Sequence, residues 1–187
     1  EALELLRTLR PFDNDDERQA AKEIIKLFGG HAFRVEKIGA YLRQNRWEKY
    51  RNFLKKAQQR INERERLNYL EETIDADDFQ LRHERIRDEE CLRPTLKKLT
   101  RKAMKLLDWA ALFGPDSVVV PWLGELAKID GDDLGKSLQE LEDYRLLIPV
   151  EADSKEQTTG LFNAKLARLH RIAREVVRNE IDTETRL

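Results

Sequence analysis

The side chains most able to do chemistry are few in this chain and lie far apart in the sequence. The three histidines and the single cysteine lack the short spacing of zinc ligands: His31, His83, His170 and Cys91. Cys91 lies in a charged segment with no evident general base, and no serine stands in a G-x-S-x-G turn. The carboxylates Asp132 and Asp133 follow a turn, where they stabilise the start of a helix without any catalytic role. We therefore predict that the chain has no catalytic residues and no metal site of its own.

Motifs for binding and cleaving a nucleoside triphosphate are also missing. The chain contains no G-x-x-x-x-G-K-[ST] loop, whose backbone N–H groups would hold the phosphates. No predicted strand ends in paired carboxylates, which would be the ligands of a Mg²⁺ ion. Because phosphoryl transfer depends on these groups for electrostatic stabilisation, we predict that this chain hydrolyses no ATP and holds no cofactor by itself.

Charge and composition favour a helical protein and give no support to a nucleic-acid partner. The 35 basic and 36 acidic residues leave a formal net charge of −1, whereas nucleic-acid-binding domains are usually strongly basic. Charged residues make up 38% of the chain, and glycine and proline are scarce, which is typical of long solvated helices.

The expected location follows from cysteine use and from the absence of long apolar runs. One cysteine can form no internal disulfide, which favours a reducing compartment. No apolar run approaches the roughly 20 residues of a membrane helix. The chain starts without methionine and without the basic and apolar regions of a signal peptide. We expect a piece of a longer cytoplasmic protein with no membrane partner.

The first half, residues 1–90, is predicted to be a helical bundle followed by a connector. Asn14 and Glu17 form a capping-box pattern at the start of a helix, and Gly29-Gly30 ends that helix. Gly39 lies inside the next helix and indicates close approach of a neighbour. A fourth helix carries a narrow apolar seam, which consists of Trp47, Tyr50, Leu54, Ala57 and Ile61, and a basic face over 46–60. Residues 63–91 are predicted to form short helices joined by a connector.

The second half, residues 91–187, is predicted to be a winged-helix domain. A helical period starts after Pro94, and further helices are predicted to begin at Pro121 and near Asp133. The period then changes to that of a β-hairpin over 146–167, followed by a last helix from Leu169. The predicted fold is therefore mainly α, with an N-terminal helical bundle and a winged-helix domain that has a small β-hairpin.

Three segments, in this order, resemble the NB-ARC proteins of the STAND class of signalling NTPases. Residues 20–42, AAKEIIKLFGGHAFRVEKIGAYL, resemble the Gly-rich turn and following helix of the family's helical ARC module. Residues 103–122, AMKLLDWAALFGPDSVVVPW, resemble the opening helix of its winged-helix module. Residues 165–178, KLARLHRIAREVVR, resemble the end of that module, where a short hydrophobic-His motif precedes a helix. Ala32 departs from the family, which has proline at this position.

The resemblance implies a regulatory part of a nucleotide-dependent molecular switch in signal transduction. It implies that the chain closes over ADP or ATP, with Mg²⁺, bound by an upstream P-loop domain of the same protein. His170, with Arg171 beside it, would then sense the β-phosphate, and Gly30, Ala32 and Phe33 would lie on the adenine side. Sensor and effector domains are the further partners that it implies.

Other interpretations of the same residues remain open. His170 could be satisfied by local backbone, and Gly29-Gly30 could be only a helix end. The chain could instead be a DNA-binding winged-helix transcriptional regulator, although its candidate recognition helix, 133–143, carries net negative charge. A third interpretation is a structural adaptor in which the seam of helix 47–61 docks a partner helix.

Overall fold

The computed structural model describes residues 1–70, 76–114, 117–150, 161 and 166–185. Over these residues the chain is mainly helical and has a small three-stranded antiparallel sheet, which confirms the predicted mainly α class. It divides into two compact units, Glu1–Pro94 and Thr95–Leu187, called unit 1 and unit 2 below. No helix among the described residues is both long enough and apolar enough to cross a membrane.

Unit 1 is built from long helices, with α1 packed on α3 and α2 packed on α4. The helices are α1 Ala2–Leu9, α2 Asp15–Leu27, α3 Ala32–Gln44, α4 Tyr50–Leu70 and α5 Ala76–Leu96, the last of which runs two residues past the division. A Cβ added to Gly39 would lie 2.5 Å from Cδ1 of Leu9, so only glycine lets α1 approach α3 this closely. The close approach predicted at Gly39 is thus confirmed.

The predicted limits of α2 are also confirmed. The Oδ1 atom of Asn14 accepts a hydrogen bond from the backbone N–H of Glu17 at 2.9 Å. The Glu17 carboxylate accepts in turn from the N–H of Asp13 at 3.2 Å, one residue before the position that a standard capping box uses. At the other end, Gly29 and Gly30 have φ values of +70° and +67°, the left-handed conformation that ends helices.

The seam of α4 is buried as predicted, except at its first member. Tyr50, Leu54, Ala57 and Ile61 are buried, but Trp47 is 69% exposed and precedes the helix. Asn45 ends α3 and accepts a hydrogen bond from the N–H of Glu48 at 2.9 Å, so the chain turns before α4 can begin. Because the rest of the seam is buried inside unit 1, it offers no surface to a partner helix.

The prediction of short helices over 63–91 is wrong. The helix α4 continues to Leu70, and α5 is a single helix from Ala76 to Leu96. These segments lack a clear apolar period because ion pairs join the two helices: Glu90 is 1% exposed and binds Arg60 at 2.6 Å and Arg64 at 3.5 Å.

The helix predicted to start after Pro94 begins later than expected. Pro94 lies inside α5, and the next helix, α6, starts at Arg101. Thr100 is its N-cap, with Oγ1 accepting from the N–H of Ala103 at 3.3 Å. The apolar pattern did not reveal the break between α5 and α6, because Leu96 and Leu99 continue the spacing of the apolar residues of α6.

Unit 2 packs three helices around α6 and adds the sheet. Its elements are α6 Arg101–Leu112, β1 Val118–Val119, α7 Val120–Ala127, α8 Gly131–Asp143, β2 Leu147–Pro149, β3 Leu166–Leu169 and α9 Arg171–Thr185. Contacts join α6 to α7, α8 and α9, and β2 to α8.

The sheet has the order β1-β3-β2, and all its pairs are antiparallel. The strands β2 and β3 pair as predicted, but the predicted end of the hairpin at 167 and the predicted helix start at Leu169 are wrong. Leu169 is the last residue of β3 and pairs with Leu147, and α9 begins at Arg171. Val118 pairs with Ala167 on the other side of β3. The predicted fold has only the two hairpin strands, so β1 is an additional strand. The middle of the predicted hairpin, residues 151–160 and 162–165, lies outside the described residues.

Candidate functional site

The junction between β3 and α9 presents His170 at the surface of unit 2. β3 lies between the other two strands, and Leu169, its last residue, is fully buried. The helix α9 begins at Arg171 and buries Ala173 and Val177. The exposed His170 is therefore held between two elements that are both anchored in the core of the unit.

The ring of His170 caps the first turn of α9. Its Nδ1 atom accepts a hydrogen bond from the N–H of Ile172 at 3.2 Å, and its carbonyl accepts from the N–H of Arg174 at 3.0 Å. A neutral ring that accepts at Nδ1 carries its proton on Nε2. The backbone N–H of Ile172 is thus a hydrogen-bond partner of Nδ1, as the alternative interpretation of His170 expects.

Arg171 lies next to His170 and makes only a surface ion pair. Its Nε atom is 3.0 Å from the Glu175 carboxylate, and the two side chains are 80% and 58% exposed. Exposed pairs of this kind contribute roughly 0.3–0.5 kcal/mol. The guanidinium can therefore exchange this carboxylate for another anion at little cost.

Arg174 is a residue of this site that the sequence analysis missed. Its Nε atom donates to the carbonyl of Ala111 at 3.0 Å, near the C-terminal end of α6. This bond joins the first turn of α9 to the last turn of α6 and so orients His170. The sequence carries no signal for it, because an arginine in a first turn usually points to solvent.

The second group of predicted residues surrounds the turn between α2 and α3 in unit 1. Gly30 and Ala32 are exposed, and Ala32 is the first residue of α3. Phe33 is only 4% exposed, and Nζ of Lys37 lies 5.3 Å from its ring centre. Gly30 and Ala32 thus offer backbone and a methyl group at the surface, while the Phe33 ring belongs to the core. These residues lie in unit 1, whereas His170 and Arg171 lie in unit 2.

A buried arginine that the sequence analysis also missed supports this turn. Arg34 is 3% exposed, and its guanidinium donates to the carbonyl of Phe28 at 3.1 Å, at the end of α2. The same group binds the carboxylates of Glu84 at 2.6 Å and Asp88 at 2.7 Å on α5. Burial alone would raise the pKa of Glu84, but the hydrogen bonds and charges of Arg34 and Arg87 together outweigh it and hold that pKa below its ordinary value.

Cys91 lies close to this arginine and is fully buried. Its Sγ atom donates to the carbonyl of Asp88 at 3.1 Å. Burial raises the pKa of the thiol well above its ordinary value, which makes Cys91 an inert core residue at neutral pH.

Two further sequence interpretations can be compared with the structure. Among the described residues, no three histidine, cysteine or acidic side chains are grouped so that they could hold a metal ion. The candidate recognition helix is α8, whose first turn carries Asp132 and Asp133. Glu140 on the same helix accepts from both the N–H and the hydroxyl of Thr100, at 2.9 and 2.6 Å. This helix therefore presents acidic groups, which repel DNA phosphates.

Comparisons with protein-family models, with curated proteins and with solved structures give no match for this chain.

Proposed function

We propose that this chain is the regulatory part of a nucleotide-dependent molecular switch of the NB-ARC/STAND class. In this proposal unit 1 is the helical ARC module and unit 2 is the winged-helix module. Together they close over ADP or ATP, with Mg²⁺, bound by an upstream P-loop domain. The observation that carries the proposal is the exposed His170, capped at Nδ1, at the junction of β3 and α9.

The order of elements in unit 2 supports this proposal. Three helices are followed by two paired strands, and a short strand after the first helix completes the sheet. A winged helix has its elements in such an order, and in this proposal β2 and β3 are the wing strands.

The geometry of His170 suits a phosphate sensor. With Nδ1 held by Ile172, the N–H group at Nε2 is the donor that a β-phosphate oxygen requires. The phosphate would also meet the N-terminal end of α9, where the helix dipole favours negative charge. Arg171 would exchange the carboxylate of Glu175 for a phosphate oxygen. The phosphate would thereby lock unit 2 against the nucleotide domain, and its loss would release the closed state.

We expect His170→Ala to weaken ADP binding about 10- to 150-fold in a protein that joins this chain to its nucleotide domain. One hydrogen bond to a charged group contributes roughly 1.5–3 kcal/mol, which corresponds to this range. The measurement is ADP affinity by isothermal titration calorimetry, for the original protein and the variant.

Two further variants separate sensing from capping. His170→Ser keeps an oxygen that can cap α9 but cannot reach a phosphate, so ADP affinity should fall as in the alanine variant while the thermal stability of the chain stays close to normal. Lys102→Ala removes an exposed cation of unit 2 that belongs to neither group of candidate residues and should leave ADP affinity unchanged. Unchanged ADP affinity in both His170 variants would remove the basis for the sensor role.

A further inference from the structure

The C-terminal end of α6 and the helix α7 carry large apolar side chains that unit 2 leaves exposed. Leu112 is 55% exposed, Trp122 is 54% exposed and Leu126 is 40% exposed. Trp122 and Leu126 are four residues apart on α7 and therefore lie on one side of that helix. The residues on its other side are buried: Val120, Leu123 and Ala127. Exposed apolar side chains that cluster mark interaction sites, whereas single ones need no partner.

A contact between two rings joins α7 to the end of α6. The centroid of the Trp122 ring lies 6.3 Å from that of the Phe113 ring, with an angle of 40° between the ring planes. Phe113 is the C-cap of α6 and directly follows Leu112. The exposed indole is thus supported on one side by α6, which lowers the side-chain entropy that a partner must remove.

The solvent-facing side of α6 continues this surface toward a basic end. Arg101, Lys105 and Leu112 are exposed and stand at i, i+4 and i+11, so they lie on the same side of the helix. Lys105 precedes Leu112 by about 10 Å along the axis of α6, and Arg101 precedes it by about 16 Å. Asp108 also lies on this side but is only partly exposed. The surface is called the α6–α7 face below and consists of Arg101, Lys105, Leu112, Trp122 and Leu126.

The two cations of this face are available to a partner. Within the part of the chain that the structure describes, neither Arg101 nor Lys105 forms an ion pair. Their neighbour Lys102, by contrast, pairs with Asp133 at 2.5 Å. The α6–α7 face therefore has a basic end and an apolar end, and the charge at its basic end is not neutralised within unit 2.

The order of charge along the face indicates the chemistry of its partner. The apolar end carries the exposed carboxylate of Glu125, next to Leu126 on α7. An anionic membrane would be repelled by Glu125, and a fluid lipid surface has no fixed order of charged and apolar groups to match. A helix of another protein has such an order, because side chains three and four residues apart line one side of it.

We propose that the α6–α7 face docks an acidic amphipathic helix of a partner protein. Apolar side chains of the partner pack on Trp122, Leu126 and Leu112, and carboxylates two to three turns away along the partner helix bind Lys105 and Arg101. Tryptophan is among the residues that contribute most to binding when an interface buries them, whereas exposed cations chiefly set the association rate and its salt dependence. Binding of such a helix requires no nucleotide.

The test is fluorescence anisotropy of the full chain with labelled model peptides of about 20 residues, long enough to form a helix. One peptide has glutamates along one side of its N-terminal half and leucines along the same side of its C-terminal half. A second peptide has the two halves exchanged, and a third has lysine in place of every glutamate. We expect saturable binding of one of the two acidic peptides and weaker binding of the basic one.

Variants of the face separate its two ends. Trp122→Ala should lower the affinity for the acidic peptide about 30-fold or more, and Trp122→Phe should restore part of that loss because it keeps a ring against Phe113. The double variant Arg101→Gln with Lys105→Gln should lower the affinity about 2- to 30-fold at low salt, and much less at high salt.

Matched variants in unit 1 serve as controls. Trp47 is 69% exposed, and Lys22 and Lys26 are exposed cations four residues apart on α2. Trp47→Ala, and the double variant Lys22→Gln with Lys26→Gln, should leave peptide binding and its salt dependence unchanged. Circular dichroism of each variant verifies that the fold survives.

Several outcomes would overturn the proposal. These are no binding of either acidic peptide at low salt, or binding that Trp122→Ala leaves unchanged. Equal affinity for the basic peptide would remove the role of the cations. Self-association in sedimentation velocity that Trp122→Ala abolishes would assign the face to a second copy of this chain. Tighter binding to phosphatidylserine vesicles than to the peptides, with the same dependence on Trp122, would assign it to anionic membranes.

Discussion

Replacing Arg34 with alanine is expected to lower the free energy of unfolding of unit 1 by about 3–5 kcal/mol. The guanidinium is buried and joins the end of α2 to the carboxylates of Glu84 and Asp88 on α5. Its removal leaves Asp88, whose side chain is 18% exposed, without this cation, while Glu84 keeps Arg87 at 2.8 Å. It also deprives the Phe28 carbonyl of a donor. Hydrogen exchange resolved to peptides of residues 1–94 measures the loss directly.

Arg34→Lys is the matched variant for this prediction. Lysine keeps the positive charge but lacks the fixed fork of donors that reaches two carboxylates and a carbonyl together. We expect Arg34→Lys to lower the free energy of unfolding, but by less than Arg34→Ala does. If the alanine variant lost less than about 1 kcal/mol, Arg34 would be no more important than an exposed ion pair.

The ion pairs of Arg34 with Glu84 and Asp88 should make the stability of unit 1 decrease at low pH. The pKa of Glu84 is lower in the folded protein than its ordinary value. The ionised carboxylate of Glu84 therefore makes its full contribution to the free energy of unfolding above the unfolded pKa, about 4.3. That contribution is lost as the pH falls through the folded pKa. The stability difference between the original protein and Arg34→Ala should therefore shrink as the pH is lowered below about 4, which unfolding curves at several pH values would test.

Arg10→Ala is expected to have an effect of similar size, about 3–5 kcal/mol, for a related reason. Arg10 is 8% exposed, donates to backbone carbonyls at the end of α3 and in the loop before α4, and lies 3.9 Å from the buried carboxylate of Glu17. Its ring contact is Tyr50, whose centroid is 5.1 Å from the guanidinium carbon. Removal leaves the buried Glu17 carboxylate with Lys49 at 3.8 Å as its remaining cation, and it leaves several backbone carbonyls without this donor. Urea unfolding followed by circular dichroism should register the loss.

An exposed arginine of the same unit provides the control for burial. Arg7 pairs with Glu4 at 3.1 Å, but these side chains are 62% and 64% exposed. Exposed pairs typically contribute about 0–1 kcal/mol, so Arg7→Ala should change the stability of unit 1 very little. Equal losses in the Arg10 and Arg7 variants would contradict the claim that burial decides the effect.

The parts of the fold that could be predicted from sequence are those set by local signals. The cap at Asn14, the glycines that end α2 and the packing glycine at Gly39 each depend on residues within one or two turns, or on the size of one side chain. The long helices over 63–91 could not be predicted in this way. Their partners, such as Arg60 and Glu90, are distant in sequence and form an ionic rather than an apolar pattern.

The same distinction applies to the candidate site. The resemblance predicts that His170 precedes a helix, and the structure places it between β3 and α9. The helical period alone starts at Leu169 and would have put His170 inside the helix. Arg174 and Arg34 act through backbone carbonyls on other helices, and no local pattern indicates such long-range bonds. The strand β1 is only two residues long and depends on pairing with β3, so its own sequence carries little signal.

The burial of Cys91 has a practical consequence for following the opening of unit 1. It is the only thiol of the chain, and a thiol reagent needs both access to the sulfur and its thiolate form. In the native fold the sulfur is buried and protonated, so labelling requires unit 1 to open. The labelling rate therefore reports how often this unit opens. Mass spectrometry of the labelled chain thus gives an opening free energy for unit 1 alone, without a tag or an added cysteine.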